Sequence, residues 1–226
     1  SLVWAQNCPE QSYVNTYSSS VSNGGVIVSG SNMFGHAFEL TETTVITNLR
    51  ALVKTYNDNM GEVFIALIEV DPNTMLPFPN NTYLDNVIYS AVAVPPANRP
   101  CPFGYPCAVP ITEVPVGVVC PPGAYAILVG TGALGATHSG TLFMPENCGS
   151  SAVFYSNNGG QSWGAYNCRP GFQVGGYSLG VNPGNEDCNQ NFILDDCDIN
   201  LGLAVDCDGN GLIDECEVAE NISLDC

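Results

Sequence analysis

The chain has 226 residues, a formal net charge of −18 from 22 acidic and 4 basic side chains, and eleven cysteines. Arg50, Lys54, Arg99 and Arg169 are too few to make the basic footprint that a phosphate backbone requires, so nucleic acid is excluded as a partner. The cysteines lack zinc-ribbon spacing and point to disulfides in an extracellular or cell-surface setting, and no apolar run reaches the ~20 residues of a membrane-spanning helix.

In chain order, the first element is the uncharged apolar opening Leu2, Val3, Trp4 and Ala5. It reads as an edge strand of its own sheet, as a strand given to a neighbouring subunit, or as a remnant of processing. Donation would be heterologous and would propagate head to tail into a fibre or other homo-oligomer. No secretory signal is seen, so a mature soluble chain is expected. From here to residue 181, Gly, Pro and Asn recur every eight to twelve residues, the punctuation of an all-β fold. Candidate strands are "GGVIVSG", "GHAFEL", "TTVITNLRAL", "GEVFIALIEV", "NVIYSAVAV", "TEVPVGVV", "GAYAILVG", "GTLFMP", "SAVFYS" and "GFQVGGYSL", and no good helix stands among them. They predict a jelly-roll-like β-sandwich over residues 1–181. The order of these motifs resembles accessory β-sandwich modules of secreted bacterial proteins.

Several stretches of this region invite a chemical reading. "GTGALG", Gly130 to Gly135, fits G-x-G-x-x-G, but the "ATHSGTLF" that follows reads as another strand, whereas a dinucleotide needs a helix N-terminus there. "SNNGGQSW", Ser156 to Trp163, resembles the Asp-box hairpin, with Asn158 in place of the usual Asp, and implies a structural turn with a packed Trp163. A surface cluster of Trp163, Tyr155 and Tyr166 would instead favour stacking on glycans. Glu39 and Glu69 are candidates for a glycosidase pair, His36 and His138 lack ligand spacing, and no Ser-His-Asp arrangement can be read, so no enzyme is expected. Asn80 and Asn221 satisfy the glycosylation sequon.

Residues 182–226 hold twelve acidic side chains and no basic one, against ten acidic and four basic in residues 1–181. Within this tail two 12-residue loops offer oxygens at positions 1, 3, 5, 7, 9 and 12, the set that a Ca2+ ion takes. In the second loop they are Asp206, Asp208, Asn210, the Leu212 carbonyl, Asp214 and Glu217, with Gly211 at the sharp turn of position 6 and Ile213 as the apolar anchor. The first loop offers Asp187, Asn189, Asn191, the Ile193 carbonyl, Asp195 and Asp198, with Phe192 in place of the glycine and the shorter Asp198 in place of Glu, so weaker coordination is expected there. Asp225 begins a third, incomplete repeat nineteen residues after Asp206. The repeats resemble dockerin loops, thrombospondin type 3 repeats and the tandem Asp-Cys-Asn loops of bacterial surface proteins. The resemblance implies calcium; the cysteines at loop positions 2 and 11 depart from the dockerin pattern, so no partner carries over.

Turns that bring chain ends together favour the pairs Cys101–Cys107 and Cys148–Cys168, and neighbouring loops favour Cys197–Cys207 and Cys216–Cys226. Cys8, Cys120 and Cys188 stay open, and an odd count leaves at least one thiol free, intermolecular or paired beyond these residues. The expected function is an extracellular, calcium-stabilised structural subunit. A carbohydrate-binding or adhesive module and the accessory region of a secreted hydrolase are the alternatives.

Overall fold

The computed structural model describes residues 11–16, 25–28, 31–55, 61–95, 111–137, 142–178, 188–189, 195, 198–199 and 202–219. The strands are β1 (Gln11–Asn15), β2 (Gly25–Val28), β3 (Met33–Leu40), β4 (Thr44–Leu52), β5 (Lys54–Thr55), β6 (Val63–Glu69), β7 (Val87–Ala93), β8 (Ile111–Cys120), β9 (Gly123–Gly130), β10 (Leu142–Ser156), β11 (Gly164–Pro170) and β12 (Phe172–Ser178). A four-stranded sheet runs β1-β12-β4-β8, and the other runs β11-β10-β3-β9-β6-β7, with β2 and β5 also paired to β10. All the pairings are antiparallel. The chain passes repeatedly from one sheet to the other, for example at β3–β4, β7–β8, β8–β9 and β11–β12, which makes an all-β sandwich of the expected class.

The side-chain patterns explain the layers. In β8, Ile111, Glu113, Pro115, Gly117 and Val119 face outward and the alternate residues turn toward the core, as expected of a strand with one wet face. On that outer surface the register places Arg50 opposite Glu113, and the two form a 2.9 Å ion pair. Exposed as it is, such a pair contributes at most about 1 kcal/mol. β6 behaves differently: "VFIALI" does not alternate, and every one of its first six residues is buried. Val63, Ile65 and Leu67 belong to the core between the sheets, with Phe38, Ile127 and Val174. Phe64, Ala66 and Ile68 belong to a second core on the opposite face, with Met33, Leu128 and Phe154.

That second core exists because two connections fold over the sheet. The segment after β6 delivers Val70 and Tyr83, the latter from a 3-10 helix at Thr82–Asn86, and the β10–β11 hairpin delivers Trp163. Among the described residues of this region, this short 3-10 turn is the departure from the helix-free expectation, and it packs by burying Tyr83 to 1 % exposure. Another correction concerns "GTLFMP" and "SAVFYS". Leu142 to Pro145 of the first and Ser151 to Ser156 of the second belong to one 15-residue strand, β10, because its pairing with β11 continues through an irregularity between Cys148 and Val153 instead of breaking at a turn.

Candidate metal centre

The second tail loop is organised around its first carboxylate. Asp206 Oδ1 accepts N–H groups from Gly209 at 2.8 Å and Asn210 at 3.2 Å, and Oδ2 accepts Gly211 at 3.0 Å. Loss of hydration works against the charge on Asp206, but these backbone donors outweigh it and hold its carboxyl below the usual range. Gly209 and Gly211 both have positive φ, 75° and 89°, so each turn around the carboxylate uses a glycine. The turn at Gly211 was anticipated, whereas Gly209 carries no signal in the spacing of ligands.

Position 9 then closes the loop. Asp214 Oδ1 accepts the N–H of Cys207 at 3.0 Å, and Asp214 N–H reaches back to the Val205 carbonyl at 2.7 Å. A short helix, α1 (Asp214–Ala219), begins here and carries Glu217 into the loop, while Ile213 is fully buried as the anchor. Asn210 Nδ2 donates to Asp208 Oδ2 at 3.0 Å and to Glu217 Oε1 at 2.6 Å, and Asn210 Oδ1 accepts the N–H of Leu212. Side chains of Asp206, Asp208, Asn210, Asp214 and Glu217 are thus linked through one short loop, and Leu212 is placed within it. Glu217 is 1 % exposed, and its second oxygen, Oε2, is buried without a hydrogen-bond partner.

The first loop repeats the contact between positions 2 and 9, and an asparagine amide again holds position 12, here from position 3 instead of position 5. Asp195, at position 9, accepts the N–H of Cys188 at 3.1 and 3.3 Å, and Asn189 Nδ2 donates to Asp198 Oδ2, at position 12, at 3.0 Å. Asp195 and Asp198 are 7 % and 0 % exposed. The Asp198 carbonyl accepts the N–H groups of Leu203 and Ala204, which turns the chain toward the second loop. Asp187, Asn191 and Ile193 lie outside the described residues.

Cysteine pairing departs from expectation. Cys216 bonds Cys188, twenty-eight residues away with a Cα separation of 5.9 Å, and not Cys226. The reason is that α1 turns position 11 of the second loop onto position 2 of the first, so the loops lie against each other. Cys188, Asp195 and Cys216 approach within 4.8 Å, but the two sulfurs are bonded to each other and offer no thiolate to a metal. Cys207 is also disulfide-bonded, while its expected partner Cys197 lies outside the described residues, as do Cys101 and Cys107. The backbone register sets Cys148 opposite Cys168 across β10 and β11.

Among the described residues Cys120 is the free cysteine. It ends β8 in the core at 1 % exposure, and burial, helped by the charge of Glu69, pushes its thiol up to about 11. Its raised value makes the neutral thiol the native form. The contribution to stability is therefore complete below about pH 9, the ordinary value, and is lost as pH climbs to about 11. Iodoacetamide at pH 8 is expected to leave Cys120 unmodified in the folded chain and to label it once denaturant is added, read by peptide mass mapping.

The remaining sequence candidates separate. Glu39 pairs with Ala124, whose side chain joins the outer core, whereas Glu69 pairs with Tyr125, which faces the inner one. The two carboxylates therefore stand on opposite faces of one sheet and cannot act together on a glycosidic bond. Trp163 meets Tyr83 and Phe154 edge-to-face at centroid distances of 5.5 and 5.4 Å in the outer core. Tyr155 and Tyr166 pack with Phe34 against the inner core, so the three aromatics form no common platform. Within the Asp-box-like hairpin, Ser156 Oγ accepts the Gly160 N–H at 2.8 Å and Asn158 Oδ1 accepts the Ser162 N–H at 3.0 Å, a self-contained turn. The glycine-rich stretch Gly130–Gly135 is a turn closed by Gly132 N–H to Ala136, and β10 is the next element. His36 Nδ1 lies 2.8 Å from the Ala37 carbonyl, Asn80 is exposed, and His138 and Asn221 lie outside the described residues.

No family model and no curated protein matches this chain. Among solved structures, a chain described as "Structure of infectious bursal disease virus Gt strain" aligns at 14 % identity and a TM-score of 0.18, covering 74 % of this chain and 36 % of its own.

Proposed function

We propose that this chain is an extracellular structural subunit in which residues 1–181 form the sandwich body and residues 182–226 form a pair of Ca2+ loops. Glu217 carries the reading. A carboxylate that is 1 % exposed with one oxygen unpartnered is costly by several kcal/mol unless a cation meets it, and residues 182–226 contain no basic side chain to do so. The side chains and carbonyl offered at positions 1, 3, 5, 7, 9 and 12 can each present an oxygen, which suits a hard divalent ion. Asp206, Asp208, Asn210, the Leu212 carbonyl, Asp214 and Glu217 would hold one ion. The first loop would hold another through Asp187, Asn189, Asn191, the Ile193 carbonyl, Asp195 and Asp198. The ion supplies charge compensation and cross-linking to a segment that has too little apolar surface to fold on its own.

Calorimetric titration of the EGTA-stripped chain is expected to give two sites, with dissociation constants of about 10⁻⁴ to 10⁻³ M or tighter. Asp206→Ala is expected to weaken the second-loop site about tenfold or more, since it removes the carboxylate that also orders three backbone N–H groups. An unchanged stoichiometry and affinity in this variant would refute the coordination. The assembly part of the reading rests on the apolar opening at residues 2–5, outside the described residues, which would donate a strand to the next subunit. Electron microscopy of the calcium-loaded native chain is expected to show fibres or sheets, and deletion of residues 1–7 to abolish them. Monomers throughout would remove the assembly and leave the calcium loops untouched.

A further inference from the structure

Between the two loops runs an unbroken chain of fixed contacts. Glu217, at position 12 of the second loop, follows Cys216 on α1; Cys216 is bonded to Cys188; and the N–H of Cys188 holds Asp195, at position 9 of the first loop, at 3.1 Å. The other loop has the matching contact, with the N–H of Cys207 on Asp214 at 3.0 Å and Cys207 itself disulfide-bonded. We propose that the Cys188–Cys216 cross-link makes the loops one coupled calcium unit, in which filling the second loop raises the affinity of the first. This rests on the calcium reading above. The buried, unpartnered Oε2 of Glu217 is the point at which an ion would act on the chain of contacts.

The physical basis is shared ordering. An ion on Glu217 fixes α1, and with it Cys216; the bonded Cys188 is then fixed as well, and its N–H holds the Asp195 carboxylate in place before any ion reaches the first loop. The entropy of ordering that arm is lost once and not twice, which is positive coupling without any new ligand. A cross-link spanning twenty-eight residues also confines the ion-free tail, so both loops start closer to their folded form. The first loop, with the shorter Asp198 at position 12, depends on this most.

Calcium titration by calorimetry on four full-length chains tests the coupling: the natural sequence, Glu217→Gln, Cys188→Ser with Cys216→Ser, and the three changes together. Glu217→Gln alters a ligand of the second loop alone. In the disulfide-bonded chain it is expected to weaken the first-loop site as well, about tenfold, which corresponds to a typical coupling between two sites. In the Cys188→Ser, Cys216→Ser background the same change is expected to leave the first-loop affinity where it was. If Glu217→Gln leaves the first-loop affinity unchanged in the bonded chain, the coupling is overturned while the calcium reading survives. If the natural chain takes up no calcium, the calcium reading itself falls. Should the serine variant not fold, the comparison of the two bonded chains decides alone.

Discussion

Gly160→Ala is expected to destabilise the sandwich by about 3 kcal/mol, from two separate costs, the left-handed conformation and the overpacking of a core. The residue sits at φ 86° in the β10–β11 hairpin, and a Cβ there would enter the ring of Tyr83, which is 1 % exposed and has Trp163 edge-on to it. Tyr83 cannot withdraw without opening the outer core, because the 3-10 helix that carries it is tied down by the Asn81 N–H to the Gly160 carbonyl. Gly159→Ala is the matched comparison. It shares the positive φ, at 71°, but its Cβ would meet only Ser31 at 3.9 Å, so about 1 kcal/mol is expected from conformation alone. Thermal unfolding followed by near-ultraviolet circular dichroism separates the two, at roughly 2–4 °C per kcal/mol for a domain of this size. Equal losses at the two positions would show that the Tyr83 contact does not hold the hairpin in place.

Those positions also mark where the sequence was legible and where it was not. The sandwich could be read because β8 alternates strictly and turn residues bound each strand, both of which are local properties. The Asp-box-like turn was legible for the same reason, since Ser156, Asn158, Gly160 and Ser162 bond one another within the hairpin. The outer core was not. It depends on Tyr83 and Trp163 arriving from separate connections; the packed Trp163 was expected, but the failure of "VFIALI" and "AYAILV" to alternate is as consistent with central strands as with a covered face. The tail shows the same division. Ligand spacing and the turn at Gly211 follow from one loop at a time, whereas the Cys188–Cys216 bond follows from how two loops pack. Proximity along the chain favoured Cys226 as the partner of Cys216, and α1 overrode it.

Chelating calcium is expected to unfold the tail while leaving the sandwich intact, and this is the largest single effect to look for. Residues 182–226 carry −12 with no basic residue, yet Asp195, Asp198 and Glu217 are 7 %, 0 % and 1 % exposed, so self-repulsion and carboxylate burial act together against the ordered form. What favours that form without an ion is a set of short-range hydrogen bonds from backbone N–H groups and two asparagine amides, one buried anchor, Ile213, and the disulfides at Cys188–Cys216 and Cys207. A free calcium concentration a hundred times the dissociation constant adds about 2.7 kcal/mol for each site, enough to reverse the balance of so small a module. Sodium chloride screens the repulsion but supplies no divalent partner for Glu217 Oε2, so high salt is not expected to replace calcium. Magnesium demands a smaller octahedral shell and is expected to substitute poorly. Hydrogen exchange gives the readout: with calcium, the amides of Cys207, Gly211 and Leu212 are expected to exchange about a hundredfold more slowly, as such a binding energy implies, while β6 and β9 amides stay equally protected with EGTA or calcium. Equal exchange of the three tail amides in the two conditions would show that the loops are ordered by the disulfides and hydrogen bonds alone, with no ion involved.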